Sequence, residues 1–254
     1  MIQQTLYLEL TNEKIAPYAI VSGDPRRVEK ILPLLDEYQK VSVNREFHTY
    51  TGVYNGVPIT ISSTGIGGPS AAITLEELYE AGVKAVVRLG TVMGIGEEKL
   101  GKFFVPIAAM RHESTSKYYV DSSYPAVASL DLVNIMSESV EKHDRQVDNG
   151  IVCSTDGYYT QMKESKLSKE MGTDVISFTE KLPNYKISGL DMETATLLTI
   201  GKLMDIDVCS VTLATVTDNL NQALDQENRK KEEELLARIV LDGIVKYHNL
   251  KTNL

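Results

Sequence analysis

Short apolar runs rich in β-branched residues recur along the chain and alternate with amphipathic stretches. The runs are Tyr18–Val21, Val57–Ser62, Ala85–Leu89, Phe103–Ala108, Ile151–Ser154 and Cys209–Val216. Most are too uniformly apolar for a strand with one wet face, so the pattern predicts strands covered on both sides. Helical spacing fills the intervals. Arg26–Tyr38 gathers Val28, Ile31, Leu32 and Leu35 on one face, and Pro69–Glu80 opens with proline at a first helical position. Leu130–His143 and Glu193–Met204 are the next predicted helices. A last one is predicted over Gln226–Tyr247, where the acidic run Glu232, Glu233, Glu234 precedes Leu235, Leu236, Ile239, Val240 and Ile244. That stripe faces a core, and the charges read as a solvated face. Alternation of strand and helix predicts an α/β fold: a single three-layer α/β/α domain over residues 1–254 with a mixed, mostly parallel central sheet. Glu164–Tyr185 is polar and irregular and reads as a mobile loop or lid.

Composition narrows the functional classes. The chain has 254 residues, 43% apolar and 24% charged, which are globular proportions. Its 26 basic and 35 acidic side chains give a net charge of −9. That balance argues against nucleic acid or an anionic membrane as partner, but leaves room for a local basic pocket holding one small anion. The N-terminal segment lacks the pattern of a secretory signal. The longest apolar stretch, around Phe103–Met110, falls far short of the ~20 residues that span a bilayer. Cys153 and Cys209 lie inside apolar runs and read as inert core residues of a reducing compartment, so a cytoplasmic location is expected. The four histidines and two cysteines are too scattered for a structural zinc site.

Five clusters carry candidate chemistry. Val21-Ser22-Gly23-Asp24-Pro25-Arg26-Arg27 stands where a strand hands over to a helix, and backbone N–H groups there can cradle an oxyanion beside Arg27. Ser63-Thr64-Gly65-Ile66-Gly67-Gly68-Pro69-Ser70 is a second glycine-rich turn, matching neither a Walker loop nor a dinucleotide fingerprint. In Val87-Arg88-Leu89-Gly90-Thr91 an arginine ends an apolar strand. Burial of a guanidinium is costly unless an anion satisfies it, so Arg88 is the more informative arginine. Gly189-Leu190-Asp191-Met192-Glu193 sets two carboxylates at a helix start, where they either cap the helix or accept bonds from sugar hydroxyls. Thr215-Val216-Thr217-Asp218 ends an apolar strand at the place where open α/β sheets bind ligands, and Asp218 is either a general acid or an N-cap. No Gly-x-Ser-x-Gly elbow occurs, which disfavours triad hydrolysis.

Together these segments resemble the nucleoside phosphorylase family that holds uridine phosphorylases, hexameric purine nucleoside phosphorylases and related nucleosidases. The resemblance runs from Leu8 to about Tyr247. Its most specific piece is Ser63–Leu78, and Gly23-Asp24-Pro25, Asn44-Arg45-Glu46-Phe47, Arg88-Leu89-Gly90-Thr91 and Met192-Glu193 fall in the family's order. The resemblance implies a phosphate-dependent pentosyltransferase. Inorganic phosphate, the co-substrate, would be held by Gly23, Arg27, Arg88 and Thr91, with Arg45 reaching in from a neighbouring subunit. Met192 and Glu193 would hold ribose, with Tyr7 standing where the family supplies a 5′-hydroxyl histidine. Tyr158 matches an aromatic beside the base. No cofactor is required, although Glu46, Ile66 and Ser70 match positions where uridine phosphorylases can hold potassium at a dimer interface. A homo-oligomer, a hexamer built from dimers, is implied.

The base is ambiguous at this stage. Most of the chain looks closest to uridine phosphorylases, yet after Tyr158-Tyr159 only a shifted Gln161 or Lys163 stands in for their uracil-reading glutamine and arginine. Thr215-Val216-Thr217-Asp218 is similar to the purine phosphorylase segment whose aspartate protonates the leaving purine, with Arg229 as its loosely aligned helper. The expectation is therefore a purine nucleoside phosphorylase, with catalytic Asp218 and Arg88, ahead of uridine phosphorylase. A hydrolytic nucleosidase and a non-catalytic nucleoside-binding protein are the further alternatives. The three phosphate-directed arginines speak against the former, and Asp218 with the ribose clamp against the latter.

Overall fold

The computed structural model describes residues 4–252, apart from the side chain of Asp218. The described strands are β1 (Tyr18–Ser22), β2 (Glu37–Asn44), β3 (Phe47–Tyr54), β4 (Val57–Ser63), β5 (Ala85–Gly94), β6 (Phe103–Phe104), β7 (Ala108–His112), β8 (Ala126–Val127), β9 (Val147–Asp148), β10 (Ile151–Thr155), β11 (Ile187–Asp191), β12 (Asp207–Thr217) and β13 (Gln222–Ala223). The α-helices are α1 (Pro25–Ile31), α2 (Gly68–Glu80), α3 (Leu130–Lys142), α4 (Lys166–Glu170), α5 (Val175–Lys181), α6 (Thr194–Leu203) and α7 (Gln226–Thr252). β1 lies parallel to β4 and β5, β12 runs parallel to β5, and β7, β10 and β11 form a second parallel group. The two groups meet where β11 joins β5 antiparallel, Gly189 opposite Gly94 and Leu190 opposite Met93.

Side-chain alternation on the central strands builds two cores. Tyr18, Ile20, Val87, Leu89, Val211 and Leu213 face one way, onto residues of α1, α3 and α7. Ala19, Val21, Val86, Val208 and Ala214 face the other way, onto α2 and α6. Covering both faces is what permits the near-continuous apolar runs. The mixed, mostly parallel three-layer architecture expected from the sequence is the one observed.

Three expectations need correction. The helix expected over Arg26–Tyr38 is cut short. α1 ends at Ile31, a 3₁₀ turn over Leu32–Leu34 follows, and Asp36 already donates its N–H to the Val53 carbonyl at 2.8 Å. Pro33 cannot continue the helical ladder, which is the physical reason. The run Phe103–Ala108 is two strands, because Pro106 lacks the N–H a ladder requires. Glu164–Tyr185 is not an irregular loop. It contains α4 and α5, capped by Ser165 and Asp174, then a 3₁₀ turn over Leu182–Tyr185, with Val175 and Leu182 buried. The helix expected over Glu193–Met204 is observed as α6, with Glu193 at its N-cap and Asp191 ending β11 just before it.

Candidate active site

The ends of β1, β11 and β12 and the upper half of β5 open onto one cleft of about 640 Å³. Its floor carries Gly23, Arg27, Arg88, Gly90 and Thr91. Asp191, Met192 and Glu193 form one wall, and Tyr158, Tyr159, Met162, Val92, Met93, Leu190, Val216 and Leu220 form an apolar upper end, while Arg229 lines the Arg27 side, paired with Glu233 at 3.0 Å. The volume suits a small organic ligand.

Arg88 shares a face of β5 with Val86 and Gly90, since strand side chains alternate. Its guanidinium is buried, and Nη2 donates to Glu193 Oε2 at 2.5 Å and lies 3.4 Å from Asp191 Oδ2. Burial pulls its pKa down, but Asp191 and Glu193 outweigh that and leave it raised. Gly90 makes room for the head: a β-carbon there would stand 2.5 Å from Arg88 Nη1. Arg27 projects from the first turn of α1. Its Nη1 donates to Ser22 Oγ at 3.0 Å, and its Nη2 lies 3.6 Å from Glu233 Oε1. Burial lowers its pKa and Glu233 partly restores it. Two guanidinium nitrogens, Arg27 Nε and Arg88 Nη1, are buried without a hydrogen-bond partner. Buried donors are rarely left so, and both belong to side chains that line the cleft.

Glu193 is fixed from both sides. Its Oε1 accepts the Gly67 N–H at 2.6 Å and its Oε2 accepts from Arg88. Gly67 is the N-cap of α2 and has a φ of 94°, in the region that favours glycine. The carboxylate therefore sits at the positive end of a helix. Two of its roughly four acceptor sites are engaged, which leaves capacity for hydroxyl donors. Asp191 takes the capping role instead: it accepts from Ser154 Oγ at 2.5 Å and from the Thr194 hydroxyl and N–H, at the start of α6.

The remaining expected site residues fall into four groups. Gly23, Thr91, Tyr158 and Met192 line the cleft with the arginines. Tyr158 stands in a single π-turn over Tyr158–Met162, edge-on to Tyr159 with ring centroids 5.0 Å apart. Tyr7 and Arg45 line no part of it. They pack on one another, the Arg45 guanidinium 5.6 Å from the Tyr7 ring centroid. Tyr7 is held there because its N–H and that of Leu8 both donate to the buried Glu77 carboxylate, at 2.8 and 2.6 Å. Glu46 and Ser70 converge on Gly65, each with a side-chain atom 2.9 Å from where a β-carbon would stand, and Ile66 is exposed beside them. Carboxylate, hydroxyl and carbonyl oxygens are the donors a hard cation takes. Asp218 begins a 3₁₀ turn after β12, and its side chain lies outside the described residues. Among the described residues no group of three His, Cys, Asp or Glu side chains is placed to hold a metal ion. No described helix is long and apolar enough to cross a membrane.

A phosphorylase superfamily model matches residues 17–245. The chain belongs to the phosphorylase superfamily. It is 36% identical over 217 residues to the uridine phosphorylase of Thermococcus kodakarensis, covering 84% of this chain and 78% of that one. It is 31% identical over 218 residues to the guanosine phosphorylase of Halorubrum lacusprofundi, covering 85% and 84%. The crystal structure of uridine phosphorylase from Vibrio fischeri superposes with a TM-score of 0.83 at 32% identity, covering 97% and 98%. Purine nucleoside phosphorylase from Toxoplasma gondii shares the fold, with a TM-score of 0.82 at 22% identity. Within the superfamily the chain stands among the nucleoside phosphorylases, which are pentosyltransferases.

Sequence reasoning missed Glu233, whose carboxylate is buried and gathers Arg27, Lys30 and Arg229. A signal existed: Glu233 precedes Leu236, Ala237 and Val240 at helical spacing and so belongs to the buried stripe of α7 rather than its wet face. Gln161 and Lys163 were the candidate base readers. Gln161 Oε1 instead accepts the Gly157 N–H at 3.3 Å, Lys163 is exposed, and neither lines the cleft, whereas Met162 does.

Proposed function

We propose that this chain cleaves the N-glycosidic bond of a nucleoside with inorganic phosphate, and that uridine is its first substrate. The observation that carries phosphorolysis is the pair of orphaned donors, Arg27 Nε and Arg88 Nη1, on the cleft floor. A phosphate accepting from both would lie against the Gly23 turn and Thr91. The preference for uridine over a purine nucleoside reverses the first expectation. Its support is the uridine phosphorylases among the relatives at 36% and 32% identity.

In the proposed reaction the C1′–N bond breaks and its electron pair leaves with the base. A phosphate oxygen then forms the new C1′–O bond, giving ribose 1-phosphate. Positive charge developing at C1′ is stabilised by the phosphate dianion below it, which the two arginines fix and orient. Glu193 accepts from the ribose hydroxyls, and Met192 packs on the sugar. Tyr158 and the apolar upper end hold the base.

A second reading, a purine nucleoside, has its own observation. The upper end is apolar, and no glutamine amide lines it to read a uracil edge. Asp218 is the proposed acid in that reading. Tyr7 and Arg45, packed together outside their own cleft, are proposed to complete the site of an adjacent protomer. The minimal active unit is then a dimer, arranged as a hexamer, with Glu46, Ile66 and Ser70 holding a monovalent cation at the dimer interface.

The test is incubation with inosine, adenosine, guanosine, uridine and thymidine, each with and without phosphate, followed by identification of the free base. Phosphate-dependent release, fastest from uridine, is expected. Release from a purine nucleoside first establishes the second reading, and equal release without phosphate overturns phosphorolysis.

A further inference from the structure

We propose that Glu233 is a positioning residue that sets the Arg27 guanidinium for phosphate. The inference rests on the reading of Arg27 and Arg88 as phosphate ligands.

Glu233 stands on α7, two turns from its start, with its carboxylate buried. It receives Arg229 Nε at 3.0 Å, Lys30 Nζ at 3.3 Å and Arg27 Nη2 at 3.6 Å. Lys30 and Arg229 are about half exposed, so water screens them, whereas Arg27 is buried. The carboxylate therefore matters most to Arg27. Ser22 Oγ holds Nη1 and Glu233 faces Nη2, so two corners of the planar fork are fixed by the protein. The corner left over is Nε, which is buried and without a partner. Nε is thus the fork's remaining unpaired donor, on a residue that lines the cleft.

Two accounts of Glu233 differ in sign. As a mere negative charge behind the site it repels a phosphate dianion, and its loss would tighten binding. As a positioning group, its loss leaves three cations facing one another, lets the buried fork rotate or withdraw, and weakens binding. The second account follows from the geometry, because a buried charge without its partner does not keep its place.

The test is steady-state kinetics on the full-length protein, varying phosphate at a saturating concentration of the nucleoside the wild type accepts. Glu233→Gln should raise the phosphate KM about tenfold or more, the scale of one lost hydrogen bond to a charged group. The value of kcat at saturating phosphate should change by less than that factor. Glu233→Asp, which keeps the charge but draws it back, should fall between the two. Thermal melting with and without phosphate gives the same answer independently of turnover: the phosphate-induced rise in Tm should shrink in Glu233→Gln. A phosphate KM that is unchanged or lowered in Glu233→Gln overturns the inference while leaving the phosphorylase reading intact. Base release by the wild type that does not depend on phosphate removes that reading, and this inference with it.

Discussion

Gly90→Ala is the sharpest probe of the cleft floor, because it adds one methyl group and no charge. Gly90 lies two residues beyond Arg88 on the same face of β5, and its φ is outside the left-handed region, so the backbone accepts alanine. The new β-carbon would stand 2.5 Å from Arg88 Nη1 and 2.9 Å from Cζ. Ordinary contact needs roughly 3.5 Å, so the guanidinium must retreat by about 1 Å. The Nη2 to Glu193 bond, 2.5 Å at rest, would then open toward the limit of hydrogen-bond geometry. A displacement of about 1 Å in a group that positions a reactant costs on the order of 100-fold in rate, or about 2.7 kcal/mol of transition-state stabilisation. Overpacking of about 1–3 kcal/mol would lower Tm by about 2–12 °C in a chain of this size, too little to unfold it at assay temperature. The assay is kcat/KM for phosphate alongside a thermal melt. The expected result is a folded protein with kcat/KM down by about two orders of magnitude. A variant within a factor of about three of wild type would show that the arginine head is not pinned where the geometry places it.

Further expectations concern other parts of the molecule. Burial pushes the Cys153 thiol up to about 12 and raises Cys209 as well, so the native protein should resist iodoacetamide at neutral pH, and rapid alkylation of either would contradict the packing. His112 stacks on Phe178 at 4.7 Å between centroids, and burial, then Lys117, lowers its pKa below 6.5. The unfolded chain therefore binds that proton first, and stability is complete above about pH 6.5 and declines as pH falls toward the lowered value. His112→Phe should flatten this acid-side loss in Tm, and an unchanged slope would assign the loss to other groups. If Arg45 serves a neighbouring site, mixing Arg45→Ala with Arg88→Ala under conditions of subunit exchange should regain activity at hybrid sites. Failure to regain any would place Arg45 outside the reaction.

What the sequence made legible follows from how each signal is encoded. β1, β5 and β12 are buried on both faces and announce themselves as apolar runs. β2 is exposed along most of its length, and its pairing with β3 depends on a turn in which Arg45 takes a φ of 53°, a value no apolar pattern encodes. α4 and α5 are short and depend on their caps, so their residues read as loop. At the site, Arg88 was conspicuous because a charge ended an apolar strand. The reversed pairing of β11 with β5, which carries Asp191 and Glu193 to that arginine, was invisible, because strand direction is set by packing between distant segments. The choice of base is hard to read for a related reason. The end of β12 read as an acid site, whereas the wall opposite is built by a π-turn that turns Met162, not Gln161, into the cleft.

The grip of Glu77 on the amides of Tyr7 and Leu8 has a practical consequence. Removing the first eight residues would not merely trim an end: it would strand a buried carboxylate on α2's packing face without its donors and uncover the sites that Leu8 fills. Shortened versions of this protein made to aid expression should therefore stop ahead of Tyr7, and any that do not will be less soluble for reasons unrelated to the reaction.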